Sequence, residues 1–216
     1  MKKLVLFLLL GFMNVGFGQT YSDYYYKKKA VFETEQDTQN EIIFLGNSIT
    51  EGGDWKALFP EKNVVNRGIS GDVTDGVLFR LDEVTSSKPS KVFLLIGTND
   101  MARGKSVDYV LTNTEKIILQ IKAQSKDTKI YLQSILPINP TVGEKFEGHK
   151  KNHQNIIEAN KRLKMLAKQH KIKFINLHKA MSTDEKYLKP EYTFDGLHLS
   201  NEGYKKWKQV INKYVN

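Results

Sequence analysis

Apolar and polar positions alternate along the chain in a regular way. Short apolar runs recur at Glu41–Gly46, Val64–Asn66, Lys91–Ile96, Lys129–Ile135 and Lys173–Leu177. Each is four to eight residues or shorter and rich in β-branched and aromatic residues, the pattern of strands buried on both faces. Between them lie helix-period segments at about residues 74–85, 107–125, 151–170 and 201–214. In the third, Ile156, Ile157, Leu163, Leu166 and Ala167 recur close to helix spacing and form an apolar stripe. Alternating strands and helices predict a parallel sheet with helices on both faces. No internal repeat or low-complexity linker interrupts residues 41–216, which read as one domain. Pro137 to Gly148 is the one long loop, expected to act as a lid or a substrate wall.

The first forty residues differ. Met1-Lys2-Lys3 is cationic, Leu4 to Leu10 is unbroken and apolar, and Gly16-Phe17-Gly18 supplies small residues. This is the order of a secretory signal peptide over 1–18, cut after Gly18. The apolar run is shorter than the roughly 20 residues of a membrane span. Export to the periplasm or the extracellular space is the expectation, with residues 19–40 as a helical lead-in and no stable membrane span after cleavage.

Composition sharpens this picture. The chain has 216 residues, 40% hydrophobic and 26% charged, which excludes collagen-like and broadly disordered classes. The absence of cysteine excludes disulfides, thiolate nucleophiles and thiolate zinc sites. Lysine and arginine exceed aspartate and glutamate by nine, but only four of the 33 basic residues are Arg. Nucleic-acid recognition leans on the planar Arg fork, and the Lys are scattered, as in Lys161, Lys164, Lys168 and Lys171. Tyr24-Tyr25-Tyr26 followed by Lys27-Lys28-Lys29 reads as a solvated helix leading into the core. No nucleic-acid partner is expected.

In an open parallel sheet, ligands bind beyond the carboxyl ends of the strands. Those ends carry Gly46-Asn47-Ser48, Gly68-Ile69-Ser70-Gly71-Asp72 and Gly97-Thr98-Asn99-Asp100, while Asp195-Gly196-Leu197-His198 precedes the last helix. Ser48 is a candidate nucleophile if a base takes its proton. His198 is the natural base, and Asp195, three residues earlier, is placed to fix its tautomer. The N–H groups of Ser48 and Gly71 and the side-chain amide of Asn99 are candidate donors to an oxyanion. Singly, each residue has a plainer role as helix cap or turn former. Their joint occurrence is what points to chemistry. Asp195 and His198 lack a third metal ligand at recognisable spacing, and His149 and His153 stand at i, i+4 around Lys150 rather than Glu. Those two are expected to be surface histidines, and no metal or organic cofactor is expected.

These four ordered blocks resemble the GDSL-like (SGNH) hydrolases, over about residues 41 to 214. Phe79-Arg80-Leu81-Asp82 and Leu136-Pro137 make the chain most similar to the platelet-activating-factor acetylhydrolase-type branch. The resemblance implies a three-layer α/β/α, flavodoxin-like fold with a five-stranded parallel sheet. It also implies a triad of Ser48, Asp195 and His198, an oxyanion hole of Ser48, Gly71 and Asn99, and a serine esterase. One departure is Asn47, where the family usually has Asp; the amide keeps an acceptor for tying the loop and loses a charge. A lack of G-x-S-x-G argues against an ordinary α/β-hydrolase lipase. The expected substrates are small-molecule or glycan esters, foremost acetyl groups on carbohydrate or sialic acid. Two other readings stay open: a lysophospholipase or thioesterase for longer acyl chains, and a non-catalytic glycan-binding module.

Overall fold

A computed structural model describes residues 21–184 and 186–216; the expected signal peptide lies outside the described residues. The chain begins with α1 (Asp23–Thr34), β1 (Ile42–Gly46), α2 (Ser48–Glu51), α3 (Trp55–Leu58) and β2 (Val64–Gly68). It continues through α4 (Thr74–Phe79), α5 (Leu81–Ser86), β3 (Lys91–Leu95), α6 (Thr98–Ala102), α7 (Val107–Gln124) and β4 (Lys129–Gln133). The last part holds α8 (Glu147–Lys150), α9 (His153–Gln169), β5 (Lys173–Ile175), α10 (Leu177–Met181), β6 (Ser182–Thr183), β7 (Tyr187–Leu188) and α11 (Asn201–Val215).

Strands β1 to β5 form one sheet in the order β2-β1-β3-β4-β5, and every pairing is parallel. This is the flavodoxin-like order, in which the switch in winding falls between β1 and β3. Register places Phe44 beside Phe93 and Phe93 beside Tyr131. Their rings stack, with centroids 5.1 and 4.6 Å apart. Trp55 lies on Phe44 at 3.8 Å, and Trp207 of α11 meets Trp55 edge-on at 4.8 Å. One layer therefore closes on an aromatic ladder. Side chains alternate across a strand, so Ile43, Leu45, Val92 and Leu94 turn to the opposite face. There the buried Val77, Leu81, Val110, Ile117 and Leu163 of α4, α5, α7 and α9 join the same core. The result is the three-layer α/β/α architecture expected from the sequence.

Several boundaries differ from the apolar pattern. The helix expected over 74–85 is two helices broken at Arg80, whose backbone leaves helical geometry at φ −114° and ψ 14°. Its side chain turns inward as a fully buried anchor described below. Strand β2 runs on to Gly68 because its pairing with β1 continues. Strand β4 stops at Gln133, and the Asn160 amide of α9 then binds both Ile135 N–H and C=O at 2.8 Å. Among the described residues no helix is long and apolar enough to cross a membrane.

Candidate active site

All the polar loops open at the carboxyl edge of the sheet. At the end of β1, Gly46 has no room for a side chain: a Cβ would lie 2.3 Å from both Leu95 O and Thr50 Oγ1. Asn47 is extended, and its Oδ1 accepts from Ile49 N–H at 3.0 Å, capping α2. The acceptor role expected of this amide is met, while its Nδ2 is buried without a partner. Capping by Asn47 makes Ser48 the first residue of the helix, where a backbone N–H has no intrahelical acceptor.

The Asp195–His198 turn builds itself from short-range bonds. Asp195 Oδ1 accepts the N–H groups of Leu197 and His198 at 2.9 and 2.7 Å. Thr193 Oγ1 accepts from Gly196 N–H at 2.8 Å and donates to His198 O at 2.7 Å. The other Asp195 oxygen, Oδ2, is 2.7 Å from His198 Nδ1. On the far side of the ring, His198 Nε2 is 3.0 Å from Ser48 Oγ. Residues 150 positions apart in sequence thus form one hydrogen-bonded chain. Burial pushes the Asp195 carboxyl up, but the His198 hydrogen bond and the two N–H donors outweigh it and hold it below the usual range. An ionised Asp195 accepts a hydrogen bond from Nδ1–H, so the ring's proton sits on Nδ1 and Nε2 is left as the acceptor for the serine hydroxyl.

The 137–148 loop supports this turn. Asn139 N–H donates to Gly196 O at 2.8 Å, and Gly143 packs directly against the Asp195 backbone. The loop also serves as a wall. Phe146 meets the His198 ring edge-on at 5.2 Å, and Gly148 and His149 of the following helix line the cleft beside Ser48.

The third side of the cleft comes from β2 and β3. Gly71 sits at φ +79°, a left-handed conformation that favours glycine. Asn99 lies in the first turn of α6, and its Nδ2 donates to Asp72 O at 2.8 Å. Ser48, Gly71 and Asn99 all line one open cleft of about 590 Å³. Beneath it, Arg80 is buried and donates to Asp72 Oδ2, Gly46 O and Arg67 O at 3.0, 3.2 and 2.8 Å. One guanidinium therefore ties the ends of β1 and β2 to the Gly71 loop. Burial pushes Asp72 up to about 6 in spite of Arg80. A second strut is Glu51, at the end of the Ser48 helix. Its Oε2 accepts Ser70 N–H and Oγ–H at 2.7 and 2.6 Å. Tyr24 and Lys28 of α1 hold its other oxygen, so the tyrosine–lysine run found in the sequence braces the site.

The family model for GDSL-like lipases and acylhydrolases matches residues 44–206. The chain belongs to that family. Among curated relatives, platelet-activating factor acetylhydrolase IB subunit alpha2 of Rattus norvegicus and of Homo sapiens are each 27% identical over 189 residues. Each alignment covers 83% of this chain and 78% of the relative. The crystal structure of a GDSL-like lipase from Bacteroides thetaiotaomicron is 29% identical with a TM-score of 0.76, covering 88% of this chain and 96% of that one. A lipase/acylhydrolase from Enterococcus faecalis is 26% identical with a TM-score of 0.68, covering 82% and 95%. This GDSL-like chain is a carboxylic ester hydrolase, and the resemblance to the platelet-activating-factor acetylhydrolase branch stands.

The structure brings together Ser48, Gly71, Asn99, Asp195 and His198, and it corrects one expectation. His149 is not a surface histidine: it is half-buried in the cleft, with Nε2 2.9 Å from Asn99 Oδ1. Burial pushes its pKa down, with His198 and Arg103 adding to the effect, so the imidazole is neutral at neutral pH. Because the Asn99 carbonyl oxygen only accepts, Nε2 carries the proton. That bond orients the amide so that its NH₂ faces the Gly71 loop. Arg103, which lines the cleft, and Phe194, beside the His198 ring, also border the site, although no motif singles either out for a role. The 50-residue separation of His149 from Asn99 left no local signal, whereas Arg103 stands four residues after Asn99, one helical turn, and was legible in principle.

Proposed function

We propose that this GDSL-like hydrolase cleaves short-chain carboxylic esters, foremost acetyl groups on carbohydrate or sialic acid, using Ser48 as nucleophile. The observation that carries the reading is the bond chain Ser48 Oγ–His198 Nε2–His198 Nδ1–Asp195 Oδ2, at 3.0 and 2.7 Å. As Ser48 Oγ bonds to the ester carbonyl carbon, its proton passes to His198 Nε2 and the carbonyl electrons move to oxygen. The N–H groups of Ser48 and Gly71 and the Asn99 amide receive that oxyanion. Collapse breaks the bond to the alcohol, which takes the proton from Nε2 and leaves acyl-Ser48. Water then gives a proton to Nε2, attacks the acyl carbon, and releases the acid as Ser48 recovers its proton.

The acetyl preference draws on the platelet-activating factor acetylhydrolases among the relatives. With residues 1–18 as a signal peptide, 19–40 as the helical lead-in and 41–216 as the hydrolase domain, the enzyme would act outside the cytoplasm. A p-nitrophenyl ester series from acetate to decanoate tests the reading. Turnover highest on acetate and lost in Ser48→Ala, by roughly 10⁶-fold, is the expected result. Rates rising beyond octanoate would replace the acetyl ester by a longer acyl chain. A folded Ser48→Ala protein with full turnover would remove the assignment, and no turnover on any ester would favour a binding module.

A further inference from the structure

The chain has only four arginines against 29 lysines, and the structure gives three of them carboxylate partners. Arg67 bridges Glu35 and Glu83, Arg80 binds Asp72 and Glu83, and Arg162 binds Asp108. Arg103 is different. It follows α6, the helix that carries Asn99, and it lines the same cleft as Ser48. Its Nη2 donates to Gly71 O at 2.7 Å. Among the described residues it has no carboxylate within ion-pair distance, and its Nε and Nη1 have no hydrogen-bond acceptor.

We propose that Arg103 is the anion-recognition group of the cleft, and that the preferred esters carry a carboxylate or phosphate on the alcohol part. The inference rests on the ester-hydrolase reading above and names its substrate class. Position supports it first. The Gly71 contact holds the guanidinium beside the oxyanion loop, so it borders the point where the ester carbonyl must sit. Charge supports it second. Among the described residues Arg103 is the one formally charged side chain lining the cleft, whose other walls are Ser48, Gly71, Asn99, Phe146, His149 and their neighbours. The effect of its charge is felt at His149, whose protonation it opposes.

Chemistry supports it third. A guanidinium is a rigid planar fork that fits carboxylate and phosphate, whereas lysine is a mobile point charge. The chain spends its other arginines on carboxylates, and this one faces an open cleft. The acyl pocket is not where the anion goes, because an acetyl group carries none. It belongs to the alcohol. Phe194, 66% exposed, lies nearly parallel to the His198 ring, 6.1 Å away at 15°. That exposed ring, with Phe146, offers flat faces for a ring-bearing alcohol whose acidic substituent reaches Arg103.

The test compares 4-acetoxybenzoate with the neutral isostere 4-acetoxybenzamide, and the corresponding 3-isomers, on full-length protein. Both members of a pair have the same acetyl group and the same demand on the oxyanion loop. Any damage from losing the Gly71 contact therefore enters both and cancels in the ratio of their kcat/KM values. Arg103→Gln is expected to lower the anionic-to-neutral ratio about tenfold for at least one isomer pair at low salt, and Arg103→Lys to fall between it and the parent. Raising NaCl from about 20 to about 500 mM should lower the same ratio several-fold in the unmutated protein, since a partly exposed charge pair is screened. A ratio unchanged within twofold in Arg103→Gln for both pairs overturns the proposal. If the variant does not fold, a salt-independent ratio in the unmutated protein overturns it instead. Failure of the unmutated protein to hydrolyse either member of a pair would count against the ester-hydrolase reading itself, a different result from hydrolysis of both without an arginine effect.

Discussion

A carboxylate–imidazole pair and a carboxylate–guanidinium cluster meet at the carboxyl edge of the sheet, and they differ in almost every physical respect. His198 lines the open cleft with Asp195 behind it, both partly exposed, and two bonds of 2.7 Å join them, backbone N–H to Oδ1 and Nδ1 to Oδ2. Asp72 and Arg80 lie beneath it, fully buried, with the guanidinium spread over Asp72, Glu83, Gly46 O and Arg67 O. In the first pair, donors outweigh burial and the carboxyl titrates low. In the second, burial wins and Asp72 is pushed up to about 6. The contrast separates chemistry from placement. The pair that must handle a proton stays near solvent, next to substrate. A group that must keep three loops in register is enclosed and saturated with bonds.

This division predicts different losses for the two clusters. Asp195→Asn keeps an acceptor for the Leu197 and His198 N–H groups but presents an amide N–H to Nδ1, enforcing the wrong tautomer. Activity on p-nitrophenyl acetate should fall by about 10⁴, while the thermal midpoint moves by only about 2 °C or less. Arg80→Met should do the reverse in kind. It leaves Asp72 buried without its cation and Glu83 with Arg67 alone, at a cost of about 3–5 kcal/mol in urea unfolding. A fully stable Arg80→Met protein would erase the distinction between the clusters. Asn99→Ala lies between them, because Asn99 belongs to the cleft yet binds Asp72 O from below. A kcat loss of about 10²–10³ with unchanged KM is expected for a lost oxyanion donor; a loss confined to KM would return Asn99 to structure.

The smallest effect is in pH. The folded pKa of Asp195 lies below its unfolded value of about 3.9. Its contribution to stability is therefore present above that value and lost as pH falls through the folded pKa. Asp72 is raised to about 6, so its contribution is full below the unfolded value and declines as pH rises through 6. The urea midpoint of the parent relative to Asp195→Asn should fall below about pH 4. The corresponding loss tied to Asp72 should appear between about pH 4 and 6. Parallel midpoints for the parent and Asp195→Asn across this whole range would contradict the first assignment.

Most of the fold was legible in the sequence for a local reason. Ile42–Leu45 and Val92–Leu95 are apolar on successive residues because both sheet faces are covered, and such runs announce buried parallel strands. The Gly-punctuated blocks at the strand ends were legible for the same reason, since a strand end, a turn and a functional side chain are all contiguous there. What escaped was decided by distant contacts. Arg80 lies inside a helix-period segment, yet Asp72 and the carbonyls of residues 46 and 67 draw it inward and break the helix. His149 gains its role only when α8 lands beside Asn99. Arg103 is set apart from the other three arginines only by contacts across the fold, which pair each of those with carboxylates.

The central claim is that Ser48 is the nucleophile and that His198 makes it one. A fluorophosphonate probe reads this directly, because it adds a covalent phosphonyl group to an activated serine. Intact-mass and peptide mass spectrometry of the parent, Ser48→Ala and His198→Ala proteins should show one adduct per chain on the peptide bearing Ser48. The adduct should be absent in Ser48→Ala and slowed by orders of magnitude in His198→Ala. A parent protein that hydrolyses p-nitrophenyl acetate but remains unlabelled, or is labelled on another residue, would contradict it.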